Sequence, residues 1–193
     1  MKPALPLLSL LISLSTMAQA DQSTNHQLKF GIAYKHINAA VPHQSDVSRI
    51  DKSNDFPAVA IAVSDRVSPY FSTHLELATG IKNQTSDYEN EKDKTAQYAA
   101  KLAYSLSALA KVRPLGNKTL TPLLILGLNT AEFKYNFQSS KERTGKITSS
   151  GFVYGAGLEL KVASDLDLSL TYENIAHFHE DVSAVSLEAN IYF

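Results

Sequence analysis

Apolar and polar residues alternate with period two through most of this chain. In "DLDLSLTYE", Leu166, Leu168, Leu170 and Tyr172 alternate with Asp167, Ser169, Thr171 and Glu173. In "GFVYGAGLELKV", Phe152, Tyr154, Ala156, Leu158, Leu160 and Val162 alternate with Val153, Gly155, Gly157, Glu159 and Lys161. The closing "SLEANIYF" does the same, with Leu187, Ala189, Ile191 and Phe193 on one side and Ser186, Glu188, Asn190 and Tyr192 on the other. Such alternation gives a β-strand two chemically different faces. Applied along the chain, the test predicts eight strands, over 27–37, 56–64, 70–82, 95–112, 120–136, 150–162, 166–175 and 183–193. The fifth is the least regular: "TPLLILGL" is apolar in both registers, and a parity slip near Ala131 predicts a bulge there.

The predicted connections alternate in length. Short ones cover 65–68, 113–119 and 163–165, and long polar ones cover 38–55, 82–94, 137–149 and 176–182. An up-and-down antiparallel chain built this way carries its tight turns at one end and its long loops at the other.

The apolar register faces either a soluble core or lipid. It is unbroken by charge at Phe71, Leu75, Leu77 and Ile81 and at Tyr98, Leu102, Tyr104 and Leu106. A lysine at such a site costs about 2–4 kcal/mol at a bilayer midplane and little on a water-facing surface. The opposite register holds Gly, Ala and Ser with Lys29, Lys35, Glu76, Lys101, Glu159, Lys161, Asp167, Glu173 and Glu188. That near-balanced set of charges suits a narrow interior in which opposite signs pair, because an isolated buried charge is too costly. Symmetric hairpins set Glu76 opposite Lys101 and Lys161 opposite Asp167. Tyr70, Phe71, Tyr98, Phe152, Tyr154, Tyr172, Tyr192 and Phe193 fall toward strand ends, as interfacial girdles require. The expected fold is therefore an all-β, transmembrane, eight-stranded antiparallel up-and-down β-barrel. Its interior should be just filled by side chains.

The first residues add an export route. Lys2, the apolar run from Leu5 to Leu14 and the ending Ala18-Gln19-Ala20 have the three parts of a cleaved secretory signal peptide, too short to span a membrane as a helix. The expected division is a signal peptide over 1–20 and a barrel domain over 21–193. Cysteine is absent, so no disulfide supplements the fold. The formal net charge of −1 gives no support for a nucleic-acid partner.

With "VYGAGLELKVASDLDLSLTYE" and "AIAVSDRVSPYFSTHLELATG", the mature chain resembles the small eight-stranded outer-membrane barrels of the OmpA-like, OmpX/Ail-like and opacity types, and accessory colonisation factors. The absence of Trp departs from that pattern. The resemblance implies a Gram-negative outer-membrane location, with lipid bilayer and lipopolysaccharide as surroundings. It also implies that Phe193 and Ile191, in the C-terminal strand, form a membrane-insertion signal read by the outer-membrane insertion machinery. Barrels of this type use charged extracellular loops for host or cell-surface contacts, so surface interaction, adhesion or envelope structure is the expected role, for a monomer without cofactor.

Two other functions fit the sequence less well. A lipid-modifying enzyme of the lipid A deacylase type needs a His-x-Ser pair near the last strands, where this chain has His177-Phe178-His179 and the nearest serine is Ser183. The paired histidines, with Glu180 and Asp181, lack identifiable further ligands for a metal. A small channel conflicts with a filled interior. The loops at 38–55, 82–94 and 137–149 are mixed, acidic and basic in turn, and charged tips on rigid strands are where binding usually resides. N-terminal sequencing of the protein extracted from envelopes should begin at Asp21; retention of Met1 would contradict the leader.

Overall fold

The computed structural model describes residues 27–39, 47–49, 54–90, 95–116, 118–138, 143–177 and 181–192. The expected leader, Phe193 and the Phe178–Glu180 part of the histidine-rich loop lie outside them. Among the described residues there are ten strands: β1 (Gln27–Ala39), β2 (Val47–Arg49), β3 (Asn54–Ser68), β4 (Phe71–Gly80), β5 (Gln84–Asn90), β6 (Thr95–Val112), β7 (Leu120–Gln138), β8 (Arg143–Lys161), β9 (Leu166–His177) and β10 (Asp181–Tyr192). Eight of these form the wall of a closed antiparallel barrel in the order β6-β4-β3-β1-β10-β9-β8-β7, with β7 returning to β6. The short strands β5 and β2 extend β4 and the first long connection above the barrel, with β5 paired to β6 and β2 to β5.

Closure falls between the two ends of the chain. β1 pairs with β10 from Lys29↔Tyr192 to Ala39↔Val182 without interruption. Lipid offers no hydrogen-bond partner, so a sheet can stand in it only if no edge is left open. The start of β1, the end of β10, the Ser68–Phe71 turn, the Arg113–Gly116 turn and the Val162–Leu166 turn lie at one end. In the second of these, Gly116 takes a φ of 67° and lies against the Tyr70 ring.

Burial follows the alternation. Leu28, Phe30, Ile32 and Tyr34 of β1, Val59, Ile61 and Val63 of β3, and Val185, Leu187 and Ile191 of β10 point outward and are exposed. The belt they form ends, away from the tight turns, at Tyr34, Tyr104, Phe152, Tyr154 and Tyr172, while Tyr70 and Phe71 stand at the turn end. Inside, Ala58, Ala60 and Ala62 line one wall, leaving width for long side chains from the others. At the lumen-facing Gly155, a Cβ would sit 2.3 Å from the Tyr172 carbonyl oxygen. Only glycine permits that backbone approach between β8 and β9.

Three expectations are corrected. The bulge expected near Ala131 is not in β7, whose odd-numbered residues face inward without a slip. The misleading signal is that Leu123 and Ile125 fill lumen positions with apolar side chains. The irregularity is on the partner, where Leu102 pairs with Phe133 and Tyr104 with Glu132, leaving Ala103 as an extra residue. Second, Leu102 is therefore fully buried in the lumen, not lipid-facing, and Lys101 is exposed on the outside. Third, much of the connections expected at 82–94 and 137–149 is strand, because β8 begins at Arg143 and β5 occupies Gln84–Asn90.

Thr79 Oγ1 donates to the Ala103 carbonyl oxygen at 3.1 Å, giving the bulge a side-chain partner. Deleting Ala103 should abolish folding, measured as loss of the heat-modifiable band on a denaturing gel, whereas Ala103→Ser should fold normally. The deletion forces Lys101 inward among apolar side chains and Leu102 outward.

Candidate functional site

The lumen is stratified. Nearest the tight turns, three cations surround two carboxylates. Arg113 donates Nε to Glu159 Oε1 at 3.0 Å and Nη2 to Oε2 at 2.9 Å, a two-pronged contact, and its Nη1 donates to Ser72 Oγ at 3.0 Å. Arg66 Nη2 donates to Glu159 Oε1 at 3.1 Å and lies 3.6 Å from Asp167 Oδ2. Lys29 Nζ reaches Glu159 at 3.1 Å and Asp167 at 2.7 Å. The Tyr192 hydroxyl donates to Asp167, and its ring packs beneath the Lys29 ammonium, 4.4 Å from the centroid.

The middle layer reverses the ratio. Lys35 Nζ donates to Glu76 at 2.6 Å and Glu173 at 3.1 Å, and Lys111 Nζ donates to Glu188 at 2.9 Å. Ser169 Oγ also donates to Glu188, at 3.2 Å. His74 lies between two of these acids, Nε2 3.9 Å from Glu76 and Nδ1 3.8 Å from Glu188, with Ser64 Oγ 2.7 Å from Nδ1. Across the two layers the buried cations Lys29, Lys35, Arg66, Lys111 and Arg113 match the buried carboxylates Glu76, Glu159, Asp167, Glu173 and Glu188 one for one.

Above the ionic layers the lumen turns apolar. Phe56 and Phe133 pack with ring centroids 5.2 Å apart, and Ile37, Leu102, Val153, Ile175 and Val182 are buried in the same cluster. This layer had no counterpart in the expected polar lumen. It lies on the side of the long connections.

Of the residues singled out in the sequence, Lys29, Glu76, Glu159, Asp167, Glu173 and Glu188 line the lumen, but in different partnerships. Glu76 stands opposite Ser107, not Lys101, and pairs with Lys35. Lys101 stands outside, opposite Lys134, because the Ala103 bulge inverts its parity. Lys161 is opposite Asp167 in register yet is exposed at the rim, while Asp167 is bound by Lys29 and Tyr192. Ile191 faces outward between Phe30 and Leu166, and Phe193 lies outside the described residues. Arg66, His74, Lys111 and Arg113 were missed. Arg66 and Arg113 lay just past the expected strand ends, although the inward parity, continued by one residue pair, reaches both.

Among the described residues, no cluster of His, Asp and Glu could hold a metal ion. Ser64, His74 and Glu76 form the only Ser–His–carboxylate sequence apparent in the described lumen. It is fully enclosed, and Glu76 is held by Lys35. A nucleophile needs an open approach for its substrate, which this grouping lacks.

Glu159→Gln should destabilise the barrel by about 3–5 kcal/mol, because Arg113, Arg66 and Lys29 lose their shared counter-charge inside the lumen. Lys161→Gln, at the exposed rim, should change stability by about 0.5 kcal/mol or less. The midpoint of urea unfolding, read from the heat-modifiable band, distinguishes the two.

Residues 7–192 match the model of the outer membrane protein beta-barrel domain. No curated protein sequence matches the chain. Among solved structures, the chain is similar to Ail, the attachment invasion locus protein of Yersinia pestis, at 14% identity and a TM-score of 0.53, over 87% of this chain and 97% of that one. The structure of Ail with the heparin analogue sucrose octasulfate is similar with a TM-score of 0.50, at the same identity and coverage. Neisserial surface protein A is similar at 15% identity and a TM-score of 0.53, over 86% and 97% of the two chains. At these identities the likeness shows the fold alone.

Proposed function

Since the chain belongs to the outer membrane protein beta-barrel domain family and so resides in the Gram-negative outer membrane, we propose that it is a non-enzymatic surface-display protein. It carries a charged, rigid wall beyond the bilayer for contact with host or other cell surfaces. In this reading the leader over 1–20 is removed on export, and Ile191 and Phe193 present the final strand to the insertion machinery.

The supporting observation is that one side of the barrel continues far past its apolar belt. Outward from Leu128, β7 presents Thr130, Glu132, Lys134 and Asn136, and outward from Phe152, β8 presents Ser150, Thr148, Lys146 and Thr144. The two strands stay paired up to Phe137↔Arg143, and β6 stays paired with β7 up to Gln97↔Gln138. At about 3.3 Å per residue this is roughly 25 Å of strand beyond the belt. On the far side β9 ends at His177, soon after Tyr172. A continuous ladder of backbone hydrogen bonds holds the wall in shape without a ligand, so a partner meets a preorganised surface. The ion pairs that cross the lumen and the apolar side chains packed above them support display over transport.

Replacing residues 137–143 by a two-residue Asn-Gly turn trims the tip while keeping Asn136 opposite Thr144. Bacteria carrying this variant should bind host cells or extracellular matrix about tenfold less than wild type. The barrel should keep its gel shift. Unchanged adhesion with normal folding would overturn the display reading.

A further inference from the structure

Lys101, Lys134 and Lys146 occupy directly paired positions on three neighbouring strands, Lys101↔Lys134 across β6–β7 and Lys134↔Lys146 across β7–β8. All three are exposed on the outer face of the wall. Directly opposed side chains in an antiparallel pair have Cβ atoms about 4.5–5.5 Å apart, and like charges there are destabilising. Lys146 lies 3.6 Å from Glu132. No described carboxylate forms an ion pair with Lys101 or Lys134. Three stacked ammonium groups with one nearby acid are costly for folding, unless something anionic sits on them.

The same lysines line an open groove of about 530 Å³, together with the polar residues Asn83, Asn136 and Thr144 and with Ala99, Ala100, Tyr135 and Gly145. Asn136 lines the groove, and its Oδ1 is buried without a hydrogen-bond partner. The site therefore combines a row of positive charge with neutral polar groups of the kind that bind sugars.

Position selects the ligand. Lys101 is the next described outward side chain beyond Tyr104 once the bulge is passed, so the ladder starts at the edge of the aromatic girdle and rises obliquely to Lys134 and Lys146. Its face looks sideways along the membrane rather than outward from the tip. The layer it meets there is the sugar headgroup region of the surrounding outer leaflet. We propose that this groove binds the phosphorylated saccharide headgroup of an outer-leaflet glycolipid. The three lysines contact phosphate oxygens, and Asn83, Asn136 and Thr144 contact the sugar. The inference rests on the outer-membrane reading; it gives the outer face of the wall a ligand in its own membrane and leaves contact with the exterior to the tip.

The test uses the folded full-length mature protein in a neutral detergent, titrated with a bis-phosphorylated lipid A glycolipid, with the same glycolipid after dephosphorylation, and with soluble heparin. Wild type should prefer the phosphorylated glycolipid by roughly tenfold or more. K101Q/K134Q/K146Q should lose that preference, and the triple Lys→Arg variant should retain it. Lys118→Gln, at the opposite end, should leave it intact. Loss of the preference in the Lys118→Gln control, or equal affinity for the two glycolipids, would overturn the proposal. So would a glutamine triple variant that keeps the preference, or lysine-dependent binding to heparin that is tighter than to the glycolipid. Should the triple variant fail to fold, Lys134→Gln alone serves. It should raise the unfolding midpoint in neutral detergent by relieving repulsion and lower it in phosphorylated glycolipid, and the same sign in both would overturn the proposal. The tip-trimmed protein keeps all three lysines and should keep the glycolipid preference, so failure of this site and failure of the display reading are separable.

Discussion

Backbone hydrogen bonding in a medium without water is the constraint from which the rest follows. Every strand of the wall must find a partner on both sides, and the last free edges, β1 and β10, are satisfied by each other along eleven consecutive pairs, from Lys29↔Tyr192 to Ala39↔Val182. Eight strands closed in this way leave an interior that side chains alone can fill. Each inward residue then meets the opposite wall, and its charge has to be answered there. Lys29 on β1 is answered by Glu159 and Asp167 on β8 and β9, and Lys35 by Glu76 on β4 and Glu173 on β9. These contacts span the lumen as well as the ladder, so the ionic layers tie together strands far apart in sequence.

Such pairs are a weak source of net stability, since desolvation offsets much of their attraction. Their effect is on specificity. A slip of one residue in any strand would turn its lumen charges toward lipid and its apolar residues inward. The one-for-one match of five cations with five carboxylates would then fail on both faces of the wall. The belt and the lumen therefore select the same register by independent physics, one by excluding charge from lipid and the other by requiring it inside.

Much of this was legible because both faces write their own signal. Outward Leu166–Tyr172 and inward Asp167–Glu173 are separated by parity alone, and hairpins with three-residue turns carry their register in the sequence, as Leu160↔Leu168 does. Partnerships across the lumen were not legible. They depend on how far the register staggers round the closed ring, and no local pattern encodes that; Glu76 was accordingly assigned to Lys101 instead of Lys35. The upper apolar layer was hidden for a related reason. Phe56, Leu102 and Phe133 look like lipid-facing residues in composition, and only the three-dimensional parity shows that they face one another.

Ala103 is where these threads meet. Below it, odd-numbered residues of β6 face inward and supply Ser105, Ser107 and Lys111 to the polar lumen, with Arg113 just past the strand's end. Above it Ala100 and Leu102 do, so Leu102 joins the apolar layer and Lys101 moves outside to stand beside Lys134. Without the extra residue the same sequence would bury Lys101 among Phe56 and Phe133 and expel Leu102 from the apolar layer, unfavourable on both counts. One inserted residue thus changes the barrel's rule of construction at the level where the membrane ends. Beneath it, charge belongs inside and grease outside. Above it, described apolar side chains pack inside and Lys101, Lys134 and Lys146 stand outside. Bulges re-aim side chains where a sheet changes its surroundings. Here that single change both adds Leu102 to the apolar layer inside and completes the row of lysines on the wall.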